Sequence, residues 1–229
     1  MTEVDDNSQE IYDVSNWCDR WCEKCSQTGH CSLFKATSSV SLEEILESLP
    51  EFFETAKKMV EEMLEKRSVD PDSLKRSDFN DDFEWRLHLI RNDEALVLAK
   101  QYRKKVTGWF KSLHVDYGME VRMQDTKLSD CLDVIAWYHA LFEMKMAKAL
   151  ILKKEEEEEH KVPYDSLGNA KLLLISVERN IESWTYVYQK FMENEDEILH
   201  LLIALQKLGK IVEQSFPDAR TFIRPGLDE

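Results

Sequence analysis

The chain has 229 residues, with 45 acidic and 30 basic side chains and a formal net charge of −15. So acidic a protein repels nucleic acid and anionic membranes, which are bound mainly through Lys and Arg, and it has no run of about 18 apolar residues that would cross a bilayer. Its first residues, Met1 to Asp6, lack the basic and apolar regions of a signal peptide, so we expect a cytoplasmic protein with no nucleic-acid and no membrane partner.

The most informative stretch holds four of the five cysteines, Cys18, Cys22, Cys25 and Cys31, with His30 beside the last of them. Short spacings of this kind let the backbone curl so that thiolates converge on one metal ion. Zinc accepts four thiolates, or three thiolates and His30, and an iron–sulfur cluster also accepts four thiolates. Two disulfides or metal-free thiols are the alternative, although a reducing cytosol argues against disulfides. The sequence therefore predicts a metal knuckle, and its spacing does not decide between zinc and iron–sulfur.

Helical patterns begin after a polar link. Ser41 and Glu44 form a capping box ahead of a short apolar stripe. Pro50 suits the first turn of a second helix that continues to about Arg67. Apolar residues over 83–90 recur at helical spacing and predict a further short helix.

A long helix is predicted from Asp93 to about Leu113, where apolar residues keep a helical period and Gly108 weakens the helix without ending it. The outer face of this helix carries the one basic stripe of the sequence. We interpret the stripe as a solvated face with acidic neighbours, or alternatively as a docking patch for an acidic partner. Its members are Lys100, Arg103, Lys104, Lys105 and Lys111.

Three more predictions concern the rest of the chain. A loop from His114 to Lys127 leads to a helix capped by Ser129 or Asp130, which runs into the solvated and fraying glutamates 155–159. A helix from Asp165 carries a heptad-like apolar seam, 167–191, which would also suit a homodimer. The last helix stops before Pro217, and its apolar tail is expected to fold back on the body.

The later helices carry a second candidate polar site. His139 lies on an apolar face, Glu143 is one turn further on, and Glu178 flanks the seam of the next helix. A His and a Glu at this spacing either share a metal ion or form one hydrogen-bonded pair. The alternative is a core histidine with a nearby acceptor.

Three segments, 16–25, 177–184 and 216–226, resemble a group of uncharacterised bacterial all-helical proteins with an N-terminal four-cysteine motif. The resemblance implies a bacterial origin and a shared architecture. It implies no function and transfers no catalytic residue.

These patterns together predict an all-α protein. We expect residues 1–40 to form an acidic tail and a cysteine-rich metal knuckle, and residues 41–229 to form an antiparallel helical bundle with the C-terminal tail packed back. The first functional hypothesis is a metal-binding protein with a structural zinc. The alternatives are an iron–sulfur redox protein, an enzyme with a polar pocket in the bundle, and a metal-free module that binds a protein partner.

Overall fold

The computed structural model describes residues 16–38, 54, 58, 85–113, 125–162, 164–191 and 195–228. Two compact units divide the chain, one formed by Met1–Tyr12 and Cys22–Arg86 and the other by Asp13–Trp21 and Leu87–Glu229. The described ranges contain helices and no β-strand, which confirms the all-α prediction. No helix within them is long and apolar enough to cross a membrane.

The first unit contains a 3₁₀ helix over Cys22–Lys24 and helix α1 over Ser32–Ser38. Residues 54 and 58 are also helical. The rest of the two helices that the sequence predicts from the capping box to Arg67 lies outside the described residues.

The second unit is built from four long helices, α2 over Glu94–Ser112, α3 over Thr126–Glu158, α4 over Asp165–Tyr188 and α5 over Glu195–Ser215. Helix α4 packs against α3 and α5, and α2 also packs against both α3 and α5. Each helix therefore has two neighbours, and the four enclose one core. The apolar seam of α4 contributes to this core.

Aromatic side chains and a short polar chain fill the centre of that core. Trp109 meets Trp184 edge to face with ring centroids 4.9 Å apart. The indole Nε1 of Trp184 donates to the Tyr102 hydroxyl at 2.8 Å, and that hydroxyl donates to Asn180 Oδ1 at 3.2 Å. Burial raises the pKa of Tyr102. Each of these buried polar groups has a hydrogen-bond partner, and the bonds fix the register of α2 against α4.

Helix α3 begins earlier than its sequence predicts. Its N-cap is Asp125, whose Oδ1 accepts from the Leu128 amide at 3.0 Å, so the prediction of Ser129 or Asp130 as the cap is wrong. Asp125 also binds Tyr186 and Lys190 of the segment that ends α4. The capping hydrogen bond is local, and the same carboxylate also joins the start of α3 to the end of α4.

The glutamate run at the end of α3 is not simply a fraying end. Glu156 Oε1 accepts from the amides of Tyr164, Asp165 and Ser166 at 3.1, 3.0 and 3.1 Å. A carboxylate at these amides satisfies the donors of the first turn of α4, and its negative charge interacts favourably with the positive end of the helix dipole. Glu156 therefore caps the next helix.

The C-terminal tail packs on the second unit. Phe216 and Ala219 are buried. Arg224 Nη2 pairs with Asp228 Oδ1 at 2.7 Å, and Lys171 of α4 pairs with the other oxygen of Asp228 at 2.8 Å. These ion pairs bring the chain end onto α4.

Candidate functional site

Three of the predicted metal ligands, Cys22, Cys25 and Cys31, lie in the first unit. The 3₁₀ helix brings the Cys25 amide to the Cys22 carbonyl at 3.1 Å. The Gln27 amide donates to Cys25 Sγ and the Phe34 amide donates to Cys31 Sγ, each at 3.4 Å. Hydrogen bonds to the sulfur atoms are also found at cysteines that ligate iron–sulfur clusters.

All five cysteines are free of disulfide bonds. Cys18 belongs to the second unit, and His30 is exposed in the first. Among the described residues, no group of three or more His, Cys, Asp or Glu side chains is arranged to hold a metal ion. The four-cysteine metal site accordingly stays a prediction.

Around Cys18, the segment Asn16–Trp21 lies on α3 and α4, and we call it the N-terminal anchor. Its Trp17 is 4% exposed, and Trp17 Nε1 donates to Asp165 Oδ1 at 3.0 Å. The ring also meets Tyr164 edge to face with centroids 5.2 Å apart. Arg224 of the tail donates to the Trp17 carbonyl at 3.3 Å. Trp17 thus joins the anchor, the start of α4 and the tail.

Asp19 is the polar centre of the anchor. Its Oδ2 accepts from the Tyr138 hydroxyl and, at 3.3 Å, from Arg179 Nη1, while its carbonyl accepts from Trp137 Nε1 at 3.0 Å. Trp21 stacks on Trp137 with centroids 5.1 Å apart. Burial, followed by the hydrogen bond to Asp19, raises the pKa of Tyr138. These contacts hold the backbone on both sides of Cys18.

Cys18 itself shares its surroundings with a buried amine. Lys145 of α3 is 8% exposed, and its Nζ donates to the Asn16 carbonyl at 3.1 Å. Burial lowers the pKa of Lys145 to about 8 and raises the pKa of the Cys18 thiol, and the Lys145 charge acts in the opposite direction on that thiol. The amine therefore partly offsets the effect of burial on the Cys18 thiol.

The structure gives the members of the second polar site different partners. His139 Nδ1 lies 2.6 Å from the Ala136 carbonyl. Glu143 pairs with Arg103 of α2 at 2.8 Å, and Glu178 pairs with Arg220 of the tail at 2.7 Å. Each of the three thus has its own neighbour, and none of these contacts joins one member to another.

Sequence reasoning missed the contacts of the N-terminal anchor around Cys18 with Lys145 and Arg179, and the part of Asp19 in them. Lys145 lies between Met144 and Met146, but the charged residues Glu143 and Lys148 are close to it in the sequence, so no local signal marks it. Asp19 and Arg179 are separated by 160 positions. No short-range pattern links residues so far apart.

Comparison with protein-family models, curated proteins and solved structures finds no match to this chain.

Proposed function

We propose that the protein binds zinc through its amino-terminal cysteines and that the ion has a structural role. Cys22, Cys25 and Cys31 supply three thiolates, and the sequence spacing supplies Cys18 as the fourth. The observation that carries the proposal is the pair of amide hydrogen bonds to the sulfurs of Cys25 and Cys31. The backbone thus positions both sulfurs, and fixed cysteine sulfurs are the donors that a zinc site requires.

A four-thiolate zinc site has no open position for a substrate, so its expected role is to stabilise the amino-terminal region rather than to catalyse a reaction. Ligand deprotonation and folding are coupled to metal binding, because the ion draws the sulfurs together as it displaces their protons. Burial raises the pKa of the Cys18 thiol, and the positive charge of Lys145 supports such a site because it partly offsets that rise.

The test is metal analysis of protein purified without oxygen, chelator or added metal. We expect about one zinc per chain and neither iron nor sulfide in comparable amount. Cys22→Ser and Cys25→Ser should each lose most of the bound zinc. The matched control is Cys131→Ser in α3, outside the cysteine cluster, which should retain it.

Two further variants identify the fourth ligand. Loss of zinc in Cys18→Ser with retention in His30→Asn supports the four-thiolate set, and the reverse result supports three thiolates and His30. Stoichiometric iron and sulfide in the purified protein would show that the cysteines hold an iron–sulfur cluster rather than zinc. Protein that binds no metal, or a Cys25→Ser variant with full zinc content, would refute the proposal.

A further inference from the structure

A cavity of about 420 Å³ lies between α2 and α3 in the second unit. Four cations of α2 line it, Lys100, Arg103, Lys104 and Lys111, and α3 contributes one carboxylate, Glu143. We call this cavity the α2 groove. Its volume is within the range of small-molecule sites, roughly 300–1,000 Å³.

The groove is positive although the protein is strongly negative. Arg103 pairs with Glu143 at 2.8 Å, which fixes the guanidinium at one side of the groove. Lys100, Lys104 and Lys111 are exposed and make no ion pair with any other described residue. In a chain of net charge −15, three exposed lysines beside Arg103 form a local positive charge that attracts an external anion.

Gly108 is a second, independent feature of the groove. It lies within α2, where glycine is less favourable than alanine because of its backbone freedom. No neighbouring side chain requires it, since a Cβ atom added there would meet nothing within 4 Å. A glycine that faces a cavity allows a ligand to approach the helix backbone closely.

We infer that the α2 groove binds a small molecule carrying two or more phosphate groups. The row from Lys100 to Lys111 extends about 16 Å along the helix, which is longer than one phosphate requires. Lysine ammonium groups bind phosphate as point charges, and Arg103 adds a fork of donors. The net charge disfavours nucleic acid. None of the described residues that line the groove is an aliphatic or aromatic residue of the kind that anchors a bound peptide.

The experiment is calorimetric titration of the full chain with inorganic triphosphate, with sodium sulfate at the same ionic strength as the reference anion. We expect saturable binding of one triphosphate per chain. Lys104→Gln should weaken it roughly tenfold, as the loss of one charge-assisted contact implies. The matched control is Lys105→Gln, which removes the same charge from the same helix at a position that does not line the groove.

Gly108→Ala separates ligand binding from helix stability. The variant should melt about 2–4 °C higher, because alanine favours the helix, and yet bind triphosphate more weakly. Equal weakening by Lys104→Gln and Lys105→Gln would show diffuse attraction to the helix and overturn a defined site. Equal affinity for sulfate, tighter binding of a hexaglutamate peptide, or no saturable binding would also overturn the inference.

Discussion

Trp17 lies directly over Gly168. A Cβ atom placed on Gly168 would be only 2.2 Å from Trp17 Cδ1. The indole is therefore in contact with the backbone of α4, and no residue with a side chain fits beneath it. The carbonyl of Trp17 accepts from Arg224, whose side chain is also buried. A single tryptophan thus connects the N-terminal anchor to both α4 and the C-terminal tail.

Gly168→Ala should destabilise the second unit. The added methyl group overlaps the Trp17 ring, and overpacking of this kind costs about 1–3 kcal/mol, more than the roughly 0.5–1 kcal/mol that alanine gains in a helix. We expect a lower free energy of unfolding in urea and earlier protease cleavage near the anchor.

Gly108→Ala is the control for Gly168→Ala, because a Cβ atom at Gly108 meets no neighbour. That variant should stabilise the protein by up to about 1 kcal/mol. In a Trp17→Ala background the overlap disappears, and Gly168→Ala should then stabilise as well. Destabilisation by Gly168→Ala in that background would show that Trp17 is not its cause.

The parts of the fold that were predictable are those with local causes. Helix α2 begins next to Asp93, whose side chain accepts from the Ala95 amide at 2.9 Å, and its buried residues follow the helical period of the sequence. The all-α class follows from such periods and from the scarcity of Gly and Pro. Each of these signals extends over less than about twenty residues.

The features that sequence reasoning missed depend on distant partners. Asp125, rather than Ser129, caps α3 through the Leu128 amide, and its carboxylate also binds the distant Tyr186 and Lys190. In the sequence Lys145 resembles any exposed lysine. In the structure the N-terminal anchor lies over it and buries it. For the candidate site, the sequence identifies the cysteines from their spacing, whereas the surroundings of Cys18 come from α3, α4 and the tail.

Asp19 and Tyr138 should be energetically coupled. Asp19→Ala removes the acceptor of a buried tyrosine hydroxyl and the partner of Arg179, so we expect a loss of about 1–3 kcal/mol in unfolding free energy. In a Tyr138→Phe background the same substitution should cost less. A double-mutant cycle by urea unfolding measures the coupling, and additive effects within about 0.3–0.5 kcal/mol would contradict it.

Asp125 should make the free energy of unfolding depend on pH in the acidic range. The Lys190 ammonium, followed by the Leu128 amide, lowers the pKa of Asp125 to about 2, whereas an aspartate in an unfolded chain has a pKa near 3.9. Because the folded pKa is the lower one, the stabilisation is fully present above about pH 4 and is lost as the pH falls through about 2.

Asp125→Asn isolates this effect, because asparagine also serves as an N-cap but cannot ionise. The difference in urea midpoint between the native protein and Asp125→Asn should be largest above about pH 4 and should shrink on acidification. Asp196→Asn, in the first turn of α5, is the control for removal of one carboxylate. A difference that stays constant from pH 5 to about pH 2 would contradict the prediction.

Tyr102→Phe should destabilise the core without changing its shape. The hydroxyl of Tyr102 accepts from Trp184 and donates to Asn180, so its removal leaves a buried indole N–H and a buried amide oxygen without that partner. Each orphaned polar group costs about 1–3 kcal/mol, and we expect the urea midpoint to fall accordingly. Tyr164→Phe is the control, because Tyr164 is 45% exposed and should change stability by less than about 0.5 kcal/mol. Equal midpoints for the two variants would show that water or a rearranged side chain satisfies Trp184 and Asn180, and that the polar chain does not fix α2 on α4.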